Sequence, residues 1–326
     1  MADESDTAKK AGGGSLTGKE RTWLDAVRNA DTLDALTSII DTVSEHDAYL
    51  KAKERWKILH RREIDGPKST ESTIPGTRVA VDGRPVFVHG VTHADTQKER
   101  CFLRKHITNY LDNGAAVYCE QGIRPMYFAD MDDVCQVDDY RWAMHHCREQ
   151  NIDSHIPGEI NREFAADERL GADLRSVASE FRERTFTLID AGKNMYGDRF
   201  TAALGDIASG FLTSHEELAT GEDFVSFQLS QQAAANPSQL VELQQYYETV
   251  FLPQPLEREW LRRHDPELEL FTHARNERIV AYVLYNAPED TPVHIITGAA
   301  HQPGISYYLQ AYRDGEWTIR PFETVP

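Results

Sequence analysis

Twice in this chain a glycine is followed three residues later by a histidine, each time at the end of an apolar run. Pro85-Val86-Phe87-Val88-His89 leads into Gly90-Val91-Thr92-His93, and Val293-His294-Ile295-Ile296-Thr297 leads into Gly298-Ala299-Ala300-His301. A third run, Ala115-Ala116-Val117-Tyr118-Cys119, ends on Glu120. Two imidazoles and a carboxylate are a common set for a divalent cation: such a set holds catalytic Zn²⁺, and a two-histidine, one-carboxylate face suits Fe²⁺ and its neighbours. Open positions on the ion hold water, lower its pKa and polarise a carbonyl. His93, Glu120 and His301 are therefore the expected metal ligands. Glu120 has a second role open to it, as general base beside the metal.

Gly90 and Gly298 read as points where the backbone turns off a strand without a Cβ penalty. Each histidine would then point into the crevice beyond the strand carboxyl ends, where open α/β sheets bind ligands. Farther on, Leu268, Phe271, Arg275, Ile279 and Tyr282 recur at spacings of three and four, which puts Arg275 in the apolar stripe of a helix. A buried guanidinium needs a partner, and a carboxylate in the same crevice is the expected one. From there Arg275 would orient Glu120 or stabilise the oxyanion of a tetrahedral intermediate.

Other candidates carry less. His89 and His294 sit within strands and read as core histidines, with His89 also placed to support a ligand from behind. His264 and His273 read as exposed. Cys135, His145, His146 and Cys147 are zinc-capable types, but their spacing matches no standard structural site, and on a helix the two cysteines read as core. No Gly-x-Ser-x-Gly supports Ser-His-Asp catalysis.

The elements that must position these residues follow from periodicity and punctuation. Residues 1–19 read as a disordered tail and 20–64 as an N-terminal helical segment. After a Gly- and Pro-rich connection, Thr77–Val81, the Asp82-Gly83 turn and Arg84–His89 predict a hairpin. A helix over 96–112, stopped by Asn113-Gly114, and the strand ending in Glu120 complete a right-handed βαβ unit. Residues 124–265 predict a large helical insertion, with helices near 133–150, 171–190, 198–211, 238–251 and 255–263. It would serve as a lid over the crevice or as a self-association surface of a homo-oligomer. A helix over 266–285, the strand Val293–Thr297, a helix from Pro303 to Tyr312 and an edge strand at Trp317–Arg320 close the chain. The fold class expected for 77–326 is α/β, with a central, mainly parallel sheet and flanking helices.

In order, a strand with Gly-x-x-His, Glu120 ending the next strand, a helix carrying Arg275-Asn276, and Gly298-Ala299-Ala300-His301-Gln302-Pro303-Gly304 resemble the TraB/PrgY family. That family belongs with the Tiki metalloproteases and the erythromycin esterase/ChaN-like proteins. The resemblance covers residues 79–125 and 266–312. It implies an EreA/ChaN-like fold and a metal-dependent peptidase or related hydrolase acting on a peptide or small molecule. Mn²⁺ or Co²⁺ would be the cofactor, His93, Glu120 and His301 would match the family's motif positions, and Arg275 its helix arginine, with Asn276 beside it. Tiki proteins are membrane-anchored and many TraB-type proteins carry membrane helices; this sequence shows neither. The ChaN branch keeps a second reading open, a non-catalytic protein that binds a peptide, a small ligand or heme in the same crevice.

Composition sets the outer bounds. The 326 residues, 40% of them hydrophobic, have ample length for a core. Acids number 53 against 35 bases, of which ten are Lys, for a net charge of −18. Such a surface fits concentrated salt, where carboxylates hold hydration and screening suppresses their repulsion. No basic stripe is present to neutralise phosphates, which argues against nucleic acid as the main partner. No apolar stretch of about eighteen residues and no apolar signal-peptide core occur, so no membrane span and a cytoplasmic location are expected. The four cysteines form no Cys-x-x-Cys and read as reduced thiols.

Overall fold

In the computed structural model, which describes residues 16–64, 73–92, 94, 96–152 and 225–319, the first helix begins at its cap. Thr17 accepts the Glu20 amide at 3.3 Å while the Glu20 carboxylate accepts the Thr17 amide at 2.7 Å. This reciprocal cap starts α1 at Gly18, inside the span 1–19 expected to be a tail. The N-terminal segment is three helices: α1 (Gly18–Arg28), α2 (Leu33–Ile40) and α3 (Glu45–Glu63). Trp23, Leu24, Leu36, Tyr49 and Trp56 pack together there with Leu252 and Leu256 from late in the chain. A buried carboxylate ties the two parts together. Glu257 accepts the Tyr49 hydroxyl at 2.6 Å, the Lys53 ammonium at 2.8 Å and the Leu252 amide at 2.7 Å.

β1 (Thr77–Val81) and β2 (Arg84–Val91) form the expected hairpin. Its turn residues Asp82 and Gly83 have φ of 50° and 83°, the left-handed pair that a two-residue hairpin turn of matching twist requires. With β3 (Ala116–Glu120), β4 (Val134–Val137) and β5 (Val293–Gly298) they make a sheet of order β1-β2-β5-β3-β4. β1 is antiparallel, and the other four strands are mutually parallel. Every residue of central β5 is buried because helices cover both faces. On one face, α4 (Gln97–Asp112) and α5 (Ile123–Tyr127) bring Leu103, Ile107 and Tyr127 against Val117 and Ile296. On the other, Ile279, Val283, Ile305 and Leu309 pack on Val86, Val88 and Ile295. Ile295 and Ile296 thus serve opposite faces, as the two-residue strand period demands.

The central strands and most helices lie where periodicity placed them; the differences are instructive. Residues 133–150 are not one helix. Val134-Cys135-Gln136-Val137 pairs with Val117–Glu120 as β4, and α6 (Tyr140–Glu149) follows. The edge of β3 offers unpaired backbone groups, and a short β-branched run satisfies them better than a helical turn would. Cys135 is consequently exposed on an edge strand, not part of a helical core, while Cys147 is buried on α6. The helices expected at 171–190 and 198–211 lie outside the described residues. Beyond them come α7 (Val225–Ala235), α8 (Leu240–Val250) and α9 (Gln254–His264).

The single helix expected over 266–285 is three pieces: α10 (Pro266–Glu269), a π-helical turn (Leu270–Ala274) and α11 (Arg275–Asn286). After β5, α12 (Gln302–Arg313) is the last helix or strand among the described residues. Trp317, Thr318 and Ile319 form no strand, and Arg320 lies outside the described residues. Trp317 instead donates its ring N–H to Glu277 at 3.1 Å. No described helix is long and apolar enough to cross a membrane.

Candidate functional site

Four parallel strands end on one side of the sheet, and the polar residues gather there. Gly90 pairs with Thr297 and Val91 with Gly298, so the chain leading to His93 leaves the sheet beside the chain leading to His301. The expected glycine turns are absent. Gly90 lies inside β2, and Gly298 ends β5 with ordinary dihedrals of φ −58° and ψ 142°. Gly90 is required by close approach instead: a Cβ there would stand 2.8 Å from Ala299 Cα and 2.7 Å from Gln302 Oε1.

Past β2, Thr92 is fixed by Glu99 in the first turn of α4. Its amide donates to Glu99 Oε1 at 2.9 Å and its hydroxyl to Oε2, which also accepts the Tyr127 hydroxyl at 2.8 Å. His93 lies outside the described residues, between these anchored neighbours in the chain.

Glu120, at the end of β3, is buried and held from two directions. Its Oε2 accepts the Thr297 hydroxyl at 3.0 Å and the Gly298 amide at 2.7 Å, while Oε1 accepts Arg275 Nη2 at 2.7 Å. The guanidinium therefore meets a carboxylate, as its place in the apolar stripe required. It meets a second one: Arg275 Nε donates to Asp139 Oδ2. Burial disfavours charge on Arg275, but Glu120 and Asp139 outweigh that and hold its pKa above the ordinary value. Burial raises the Asp139 pKa; Arg275 opposes the rise and the Glu120 charge adds to it. Asp139 Oδ1 is buried with no hydrogen-bond partner among the described residues.

His301 completes the group. Its Nδ1 lies 2.8 Å from Asn276 Oδ1. A carboxamide oxygen can only accept, so the proton of the neutral ring sits on Nδ1 and the lone pair on Nε2. That Nε2 is 3.8 Å from Glu120 Oε1. Two donors sharing a Zn²⁺ at ordinary bond lengths stand at most about 4.3 Å apart, so this pair fits a common cation. The carbonyl that fixes the tautomer is the usual partner behind a metal-binding imidazole. Asn276 approaches so closely because residue 304 is glycine: a Cβ on Gly304 would collide with the Asn276 amide. Among the described residues no set of three or more His, Cys, Asp or Glu is grouped to hold a metal ion. His145 and His146 face Glu149, at 3.4 and 3.2 Å.

The remaining histidines divide. His89 and His294 are core residues, stacked with Tyr110 and Phe87, and His89 Nε2 lies 2.9 Å from His294 Nδ1. His89 Nδ1 reaches Pro75 O at 3.0 Å, away from the strand-end cluster, so it gives no direct support to a ligand there. His273, expected to be exposed, is buried on the π-helical turn and bonds Gln254 Oε1 at 2.9 Å. Burial pushes its pKa well below the ordinary value, and the charges of Lys53 and Arg258 add to that.

Asp139 is the member that sequence reasoning missed. The signal was present in Val134-Cys135-Gln136-Val137-Asp138-Asp139, a β-branched run ending on acids much as Ala116–Glu120 does, but a helical reading of 133–150 hid it. A scan against protein-family models finds no match to this chain, and comparisons with curated proteins and with solved structures likewise find none.

Proposed function

We propose that this chain is a cytoplasmic, metal-dependent hydrolase of the TraB/Tiki type, built on an EreA/ChaN-like scaffold and acting on a peptide or small-molecule substrate. The observation that supports it most is the meeting of Glu120, Asp139, Arg275 and His301 at the carboxyl ends of parallel strands, with His301 Nε2 3.8 Å from Glu120 Oε1. His93, Glu120 and His301 would hold a divalent ion, Mn²⁺ or Co²⁺ by resemblance and Zn²⁺ or Fe²⁺ by ligand type. Once bound, such an ion supplies an acidified water and a polarised carbonyl.

The protein's own part is positioning and charge. Two carboxyl groups share one guanidinium in a buried place, where burial and the Glu120 charge work against ionised Asp139, and an added cation would relieve that. Asn276 keeps the His301 lone pair directed toward Glu120. Glu120 Oε1, the oxygen 3.8 Å from His301 Nε2, would help hold the ion or accept a proton from water. Arg275 holds Glu120 and balances charge as an oxyanion develops.

Elemental analysis of protein purified without chelator, paired with a peptide and ester library, tests the reading. His301→Ala and His93→Ala should lower metal content and hydrolysis together while circular dichroism stays unchanged. Full metal retention in both variants removes the assignment. Bound metal with no hydrolysis of any library member favours a binding protein instead.

A further inference from the structure

The β1–β2 ladder stops where Thr77 faces Val88. Carried two residues further, the same register would set Pro75 opposite Gly90, and proline has no N–H to donate. Two buried glutamines complete the Gly90 peptide groups instead. Its amide donates to Gln302 Oε1 at 2.7 Å, and its carbonyl accepts Gln244 Nε2 at 2.8 Å.

The two glutamines come from different places and so do different things. Gln244 lies on α8, and its Nε2 also donates to Pro75 O at 3.0 Å, which braces the open end of the hairpin. Gln302 opens α12 directly after His301. Its Nε2 donates to Thr77 Oγ1 at 3.1 Å, so one carboxamide joins β1, β2 and the start of α12. His301 ends the short 3₁₀ turn Ala299–His301 between β5 and that helix. Such turns have poorer hydrogen-bond geometry than an α-helix, so a clamp on the next residue bears on where the histidine stands. The missing Cβ at Gly90 gives Gln302 Oε1 its place beside the strand, as it does for Ala299.

We propose that Gln302 is a positioning residue of the strand-end site. It fixes the turn that bears His301 against Gly90, in the chain that runs on to His93, and so sets the spacing of the two Gly-x-x-His arms. The inference rests on the metal-dependent reading of that site. It adds a role for the residue after the second histidine, which touches neither Glu120 nor Arg275 through any of the bonds above.

Co²⁺ binding to the full chain, followed by visible absorption and by competition with a chelator, tests it. His301→Ala marks the part of the signal that belongs to this site. Gln302→Met keeps the side chain's bulk and removes both bonds; it should weaken Co²⁺ about 10–100-fold and change the absorption bands, which report ligand geometry. Gln244→Met strips bonds from the same Gly90 peptide and should cost similar stability in urea unfolding, yet leave Co²⁺ affinity within about threefold of wild type. Thr77→Val removes only the acceptor of Gln302 Nε2. It should shift the bands in the same sense with a smaller loss of affinity, and it decides the matter where Gln302→Met does not fold. Unchanged affinity and bands in Gln302→Met, or in Thr77→Val where that is the folded variant, would overturn the proposal. Equal weakening by Gln244→Met and Gln302→Met would do the same, because a general loosening of the sheet end would then account for both. A wild-type Co²⁺ signal equal to that of His301→Ala is a different failure: it removes the metal reading itself, and this inference with it.

Discussion

Strands β2 and β5 each carry a histidine in mid-strand, and each leads into another beyond the strand end; the described members of these pairs have different fates. His89 and His294 lie under the helix-covered face, stacked on Tyr110 and Phe87, with the His89–His294 contact at 2.9 Å and burial holding both uncharged. His301, three residues past the end of the same β5, has its Nε2 3.8 Å from Glu120, which in turn shares the Arg275 guanidinium with Asp139. Residue type and apolar context are alike. Position along the strand decides: within the strand, the covering elements offer neutral partners, the other imidazole, the Pro75 carbonyl and the Tyr110 ring, whereas at the carboxyl end several loops converge and charge can be shared.

The contrast can be broken most strongly at Arg275. Arg275→Met removes the guanidinium that bridges Glu120 and Asp139, and leaving buried carboxylates without it should cost about 3–5 kcal/mol in urea unfolding. His294→Phe, by comparison, should cost less, about 1–3 kcal/mol, because the ring stack is kept while the buried His89 Nε2 loses its partner at 2.9 Å. Equal losses at both positions would show that the strand-end cluster is no more charged in practice than the mid-strand stack.

Asn276→Ala sharpens the comparison from the other side. It removes the acceptor that sets the His301 tautomer and should weaken divalent-metal affinity by about 10–100-fold, read by competition with a chelator. His294→Phe should leave that affinity unchanged.

The same contrast can be read from pH. Burial lowers the pKa of His89 to about 4 and that of His294, where His89 adds to the effect, to about 3. Both lie below the ordinary value of 6.5, so the unfolded chain takes up protons first as the medium is acidified. Stability present above about pH 6.5 should therefore be lost on the way down, by roughly 1.4 kcal/mol per pH unit for each histidine. Urea midpoints measured between about pH 6.5 and 5, above most carboxylate titration, give that slope. His294→Phe should flatten it; an unchanged slope assigns the acid sensitivity elsewhere.

Much of the framework was legible because it depends on neighbours in sequence. The hairpin at Asp82-Gly83, the strand closing on Glu120, the stop of α4 at Asn113 and the apolar stripe around Arg275 all follow from local periodicity and turn chemistry. Where the reading went astray, a distant partner overrode the local preference. Residues 134–137 became a strand because β3 had an open edge, and Asp139 came with them into the crevice. His273 reads as exposed, yet it is buried and bonded to Gln254 of α9. The Leu270–Ala274 π-helical turn interrupts a helix whose spacing looks continuous.

Residue types and their order therefore determined by themselves that apolar strands would end near Glu120 and in Gly-x-x-His, and that Arg275 would face inward. Tertiary structure alone decided that Glu120 and His301 come within 3.8 Å, that Asp139 shares the guanidinium, and that Gly90 is needed for the approach of Ala299 rather than for a turn. The reason is physical. Periodicity along a chain reports which face a side chain occupies, while the identity of what it meets across a sheet is set by strand order and register, which no local pattern encodes.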